Sequence, residues 1–568
     1  MERNARENNM DKPIIYQLLP RLWGNTCANP VKNGSLEENG TGKFADIDTA
    51  SLEYFKWLGC SHIWYTGVIR HATTATTHGC VPSSSQFVKG RAGSPYAIVD
   101  YYDVNPYLAT NPEHRMEEFD ALVERTHKAG LKVLIDFVPN HVSRDYGKVC
   151  RTPGHPVLGE NDDKRVHWRH ENDFFYYPGE TLKLPVAPAA GEDPYFENPA
   201  MATGNNCYSP APGINDWYET VKINYCDTHS PTWDKMLDIV RFWASRGVDG
   251  FRCDMVELVP CDFFKWLIEK VKEEFPSVIF IAEVYQKDLY GKYIRYVGFD
   301  YLYDKSGLYD TLRTIVEKNV GDNGLPVELW QSAERITRNW QSLGDLQPYM
   351  LNFLENHDEQ RFASDFFGRS ARFSFAALYV SLFLNRAPFM LYMGEELGEK
   401  GMDEEGFSGK DGRTTIFDWW SVESLRKLNT VIHNGLYKDF DTVALSQAGL
   451  TPQETEVFCK YARALRFAGS DDAIRRGMVY DLCYCNANSP GFDKRRHFAF
   501  LRDFKDETLL FAVNFSSEPA AMELAIPPHA FEWLELPQTK MLNPTTPIRI
   551  NVPAFGGAMY RLSEPQKK

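Results

Sequence analysis

The chain has 568 residues, 43% hydrophobic and 24% charged, with a net charge of −15. That length exceeds one compact domain and can supply a sizeable core. The acidic balance excludes nucleic acid as the main partner, because a polyanion needs a basic face. No apolar run is long enough to span a bilayer, FSFAALYVSLFL (373–384) included.

The opening stretch, MERNARENNMDKP, is polar and has no apolar leader core. This favours a cytoplasmic setting, although a periplasmic or secreted chain stripped of its leader would read the same. Eight apolar runs then follow as predicted strands: 14–20, 62–67, 132–139, 250–255, 278–284, 297–303, 350–358 and 387–394. They are near-continuous, as expected for parallel strands buried on both faces. Helical spacing fills the gaps. In 115–130, Met116, Phe119, Leu122 and Val123 share a face before a glycine cap, and 231–247 and 262–275 behave alike. Eight strands with intervening helices predict an α/β fold, a (β/α)8 TIM barrel, with a doubly wound sheet as the rival.

Two segments break the alternation. Residues 142–215 are rich in Pro, Gly, Asn and aromatics, too long for a structureless loop, and read as a domain inserted after the third strand. The barrel therefore occupies 1–141 and 216–475. From 476 to 568 the pattern is strands only, predicting a C-terminal antiparallel β-sandwich. Aromatics in polar surroundings, as in NDFFYYPGE (172–180), suit either sugar stacking or packing. Eleven scattered cysteines, with only Cys483 and Cys485 close together, form no zinc pattern or disulfide framework and read as free thiols.

In a barrel the chemistry sits at the C-terminal ends of the strands. Those ends carry Asp136, Asn140 and His141 on the third strand, Arg252 and Asp254 on the fourth, and Glu283 on the fifth. The seventh carries Glu355, His357 and Asp358, and the eighth leads to Glu395 and Glu396. Asp254, Glu283 and Asp358 thus converge on one rim, with Arg252 as the cation at hand. A carboxylate nucleophile or base beside a carboxylic acid is the pairing of glycoside hydrolysis. A metal-dependent hydrolase built on Asp136, His141, His357 and Asp358 is the competing use of such a cluster.

Four stretches in order resemble the α-amylase family of glycoside hydrolases, family 13: DFVPNH (136–141), GFRCD (250–254), AEVY (282–285) and ENHDEQR (355–361). The upstream YAIVDYYDV (96–104), INDWYETVKINY (214–225), the insertion and the C-terminal strands fit the same layout. The resemblance implies a retaining hydrolase of α-glucosidic bonds in starch, maltodextrin or malto-oligosaccharides. An α-glucosidase or an α-glucan transglycosylase of the same family is the alternative, and a non-catalytic carbohydrate-binding protein the distant one.

By that resemblance Asp254 is the nucleophile, Glu283 the general acid/base, and Asp358 the holder of sugar hydroxyls. Arg252 orients Asp254, His141 and His357 hydrogen-bond the sugar, and Tyr96 stacks under it. Asp136, Glu395 and Glu396 read as bracing residues. No organic cofactor is implied. A structural Ca²⁺ is, with Asn140 as a ligand and the acidic run ENDD (160–163) as a further source of oxygens. One departure bears on it: many α-amylases continue the second motif as Lys-His, and this chain has Glu257 and Leu258.

Overall fold

The computed structural model describes residues 11–76, 81–321, 326–401, 409–505, 507–534 and 546–562. Its centre is a closed parallel barrel of β1 (Ile14–Leu18), β2 (His62–Tyr65), β3 (Lys132–Phe137), β4 (Gly250–Cys253), β5 (Ile279–Ala282), β6 (Tyr301–Tyr303), β7 (Met350–Phe353) and β8 (Phe389–Tyr392). Each strand neighbours the next in chain order and β8 closes on β1. All eight lie within the predicted apolar runs, and almost every residue in them is buried. Helices Arg115–Lys128, Pro231–Ser245 and Cys261–Glu274 wrap the outside, burying the faces that carry Phe119, Leu122 and Val123, or Phe263, Phe264 and Leu267.

The register fixes what the rim presents. Arg252 on β4 lies opposite Asp136 on β3, and Cys253 opposite Ala282 on β5. Glycine is required at the start of β4. A Cβ on Gly250 would stand 2.5 Å from the Ile279 side chain and 2.7 Å from its carbonyl oxygen, so the bare Cα lets β4 and β5 approach.

The excursion after β3 is made mostly of turns. It is tied by the short antiparallel pair His141–Ser143 and Thr220–Lys222, so the chain rejoins the barrel beyond residue 215. A second hairpin, Ile69–His71 with Ile98–Val104, was not among the predicted strands; its register shifts twice, which breaks the period-2 pattern that marks a strand.

The C-terminal strands are antiparallel. β9 (Met478–Asp481), β10 (His497–Phe504), β11 (Glu507–Asn514) and β14 (Gly556–Arg561) form one sheet, and β12 (Ala520–Leu524) pairs with β13 (Ile548–Val552). This region shares its apolar core with the barrel. Phe511 stacks on Phe383 at 5.1 Å, and buried Arg502 donates to the carbonyls of Phe383 at 2.7 Å and Gly477 at 2.8 Å.

Candidate active site

Arg252 lies within β4 and Asp254 directly follows its last residue. Arg252 is 1% exposed and ringed by Trp64, Tyr96 and Tyr303, with ring centroids 5.3–5.7 Å from its guanidinium carbon. One terminal nitrogen donates to Asp254 Oδ1 at 2.6 Å. The other stands 2.9 Å from Glu283 Oε1, close enough for an ion pair but off the hydrogen-bond direction. One buried cation therefore spans the two acids at the ends of adjacent strands.

Glu283 is held from two further sides. The Met255 N–H donates to Oε2 at 2.9 Å, from a backbone turned into the left-handed region (φ 45°) directly after Asp254. The Tyr285 hydroxyl donates to Oε1 at 2.7 Å. Glu257, where many α-amylases have Lys, accepts the N–H groups of Tyr285 at 3.1 Å and Gln286 at 2.9 Å, fixing the segment that carries the acid.

Burial pushes the Asp254 carboxyl well above its ordinary range, and the Glu283 charge adds to that, while Arg252 opposes both. Two carboxylates against one guanidinium leave one excess negative charge at this end of the barrel.

Asp358 completes the rim. Asn356 Oδ1 accepts the N–H groups of Asp358 at 2.8 Å and Glu359 at 2.9 Å, a local turn that aims the carboxylate. Its side chain is 42% exposed and lies 3.1 Å from His357 Nε2. Burial of its surroundings would raise it, but His357, Arg252 and Arg413 pull it down to about 2. With the Gln17 amide donating to His357 Nδ1 at 2.8 Å, His357 turns Nε2–H toward the Tyr96 hydroxyl and Asp358. Tyr96 stacks on His357 with centroids 5.3 Å apart, and its hydroxyl contacts both His357 and Asp136. Burial holds His141 down at about 3, with Lys222 and Lys89 adding to the effect, so it is a neutral donor or acceptor.

The remaining acids are spent inside the protein. Asp136 accepts the Gly67 N–H at 3.1 Å and braces the rim. Glu355 pairs with Arg361 at 2.8 Å, Glu395 accepts from Tyr461 at 3.2 Å, and Glu396 accepts from Tyr16 at 2.7 Å. Tyr285, Met255 N–H, Gln17 and Tyr303 were not singled out in the sequence. Tyr285, two residues past Glu283 on a strand end, carried the only signal that could have found one of them.

The residues expected to hold calcium do not fit it. Asn140 Oδ1 accepts from the Lys222 ammonium, which also donates to the Leu258 carbonyl at 2.8 Å. Asn140 Nδ2 donates to the Gly204 carbonyl at 2.8 Å, which holds the amide with its one oxygen on Lys222. In the acidic run, Glu160 pairs with Arg151 at 2.9 Å and Asp163 with Arg165 at 2.8 Å, while Asp162 accepts the Asp173 N–H at 2.9 Å. Burial lowers Lys222 to about 7, the cost of a cation set against neutral oxygens with no carboxylate beside it. Among the described residues no cluster of three or more His, Cys, Asp or Glu side chains has a metal-binding arrangement.

A closed (β/α)8 barrel with an arginine bridging two carboxylates at its mouth has the layout of a barrel glycosidase. A profile of the family described as "Alpha amylase, catalytic domain" matches residues 31–506, and the chain belongs to that family. Alpha-amylase 3 of Dictyoglomus thermophilum is 25% identical over 396 residues, 68% of this chain and 64% of that protein. Cyclomaltodextrin glucanotransferase of Geobacillus stearothermophilus is 24% identical over 416 residues, 69% of this chain and 50% of that protein. The chain thus spans less than two thirds of these relatives. Among solved structures, the alpha-amylase of Geobacillus thermoleovorans in complex with acarbose matches with a TM-score of 0.60 at 18% identity, covering 98% of this chain and 99% of that one, a likeness of fold.

Proposed function

We propose that the protein is a retaining hydrolase of α-glucosidic bonds in malto-oligosaccharides or related α-glucans. Asp254 attacks the anomeric carbon while Glu283 protonates the departing glycosidic oxygen, giving a glycosyl ester on Asp254 and a free leaving sugar. Water, deprotonated by Glu283, then displaces Asp254 and restores both groups. Asp358, with His357 and His141, holds the hydroxyls of the cleaved sugar, and Tyr96 lies under its ring. The observation that carries this reading is the Arg252 bridge. It holds Asp254 and Glu283 on one guanidinium, which suits the ~5–5.5 Å separation of a retaining pair better than the wider gap of an inverting one.

Transfer to a sugar acceptor uses the same glycosyl ester, and the glucanotransferase among the relatives supports it as the second reading. Product analysis on maltoheptaose, pullulan and isomaltose, with Asp254→Asn as control, separates the two. Hydrolysis yields only shorter products; transfer also yields longer ones. Equal behaviour of wild type and Asp254→Asn would overturn the site.

No helix among the described residues is long and apolar enough to cross a membrane. The ten described cysteines are free thiols.

A further inference from the structure

We infer that the Lys222 ammonium does the tying job for which the family resemblance implies a calcium ion, so that this chain closes its inserted region with its own cation and needs no bound metal. Three segments meet at that nitrogen. Lys222 ends the strand on which the insertion returns, and it lies directly opposite His141 in the antiparallel pair. Asn140 is the last residue of the turn after β3, and Leu258 follows β4 four residues past Asp254. One ammonium thus links the returning strand to both loops that carry sugar-facing groups, by way of the Asn140 side chain and the Leu258 backbone.

The chemistry of the donors selects a monovalent cation. Calcium takes six to eight oxygens, carboxylates prominent among them. Here one amide and one peptide carbonyl converge on Lys222 Nζ, and the nearby acidic run is committed to arginines and backbone N–H groups. Lys222 is 6% exposed, so its aliphatic stem also fills the space around those oxygens. The backbone carbonyl at 258 does not depend on the side chain there, so Leu in place of His leaves the link intact.

The consequence reaches the site through the next residue. Asn140 Nδ2 stands 3.1 Å from His141 Nδ1, so an Asn140 amide fixed by Lys222 and Gly204 fixes the His141 ring. Lys222 is therefore a positioning residue.

The test measures thermal unfolding of the full-length wild type after exhaustive dialysis against EDTA, then with millimolar calcium added, together with metal content by mass spectrometry. The expected result is the same Tm in both, and no stoichiometric calcium in protein never exposed to chelator. A Tm that rises saturably with calcium, or one retained calcium per chain, overturns the inference. In parallel, Lys222→Met is expected to lose about 1–3 °C and to raise KM for maltoheptaose more than it lowers kcat. Lys222→Asp, which removes the cation and adds a carboxylate, should gain a Tm that increases with calcium. A Lys222→Met variant with wild-type Tm and KM would also overturn it. Should neither variant fold, the wild-type calcium titration still decides.

Discussion

Two acidic clusters sit at strand ends of the same barrel and differ in who satisfies them. In the first, Asp254 and Glu283 share Arg252, and Asp358 is 42% exposed on the open rim. In the second, Glu355, Glu395 and Glu396 are at most 1% exposed and enclosed by Arg361, Tyr461, Tyr16 and Tyr54. Burial pushes Asp254, Glu355, Glu395 and Glu396 upward alike. A perturbed carboxyl therefore does not by itself mark a reacting group. What separates the clusters is exposure: the first includes Asp358, whose side chain is 42% exposed, and the second faces side chains already in place.

The sharpest break between them is Asp254→Asn. It should lower kcat/KM on the order of a thousand-fold or more, with the unfolding midpoint nearly unchanged, since the amide oxygen can still accept from Arg252. The mirror experiment is Arg361→Met. Arg361 is fully buried, donating to Glu355 and to Thr414 at 2.8 Å each and standing over the Tyr392 ring. Its loss strands a buried carboxylate and should cost about 3–5 kcal/mol in denaturant unfolding. The fraction that stays folded should keep kcat within a few-fold.

A smaller effect sharpens the same contrast. Burial raises Glu396 from 4.5 to about 7. Between those values the folded chain keeps a proton that the unfolded chain has released, so this group's contribution to stability falls as pH rises through the window. Glu396→Gln should raise stability at pH 7 by about 2 kcal/mol, flatten the dependence between pH 4.5 and 7, and leave activity near wild type. Chemical unfolding at several pH values checks all three.

The barrel was legible because eight short apolar runs such as KVLIDF and GFRC alternate with helical patterns along the chain; an apolar run alone does not decide, since FAALYVSLF forms the buried helix Phe375–Phe383. The carboxylates of the first cluster were legible because strand ends are fixed in sequence. What the sequence hides is what approaches a side chain from elsewhere in the fold. The cation on Asn140 comes from residue 222, and the hydroxyl on Glu396 from residue 16. Met255 acts through its backbone N–H, which carries no side-chain signal at all. Lys222 even lay within a stretch that resembles the family, yet only the folded register shows which oxygens it meets.

The most direct test of the central pairing is to trap the glycosyl ester. Glu283→Gln protein incubated with 5-fluoro-α-glucosyl fluoride, whose leaving group needs no acid, is digested and mapped by mass spectrometry. The account predicts one hexosyl adduct per chain, on Asp254, and none in the Asp254→Asn variant. An adduct on Asp358 or Glu396 instead, or turnover of the fluoride with no adduct and release of the β-anomer, would contradict it.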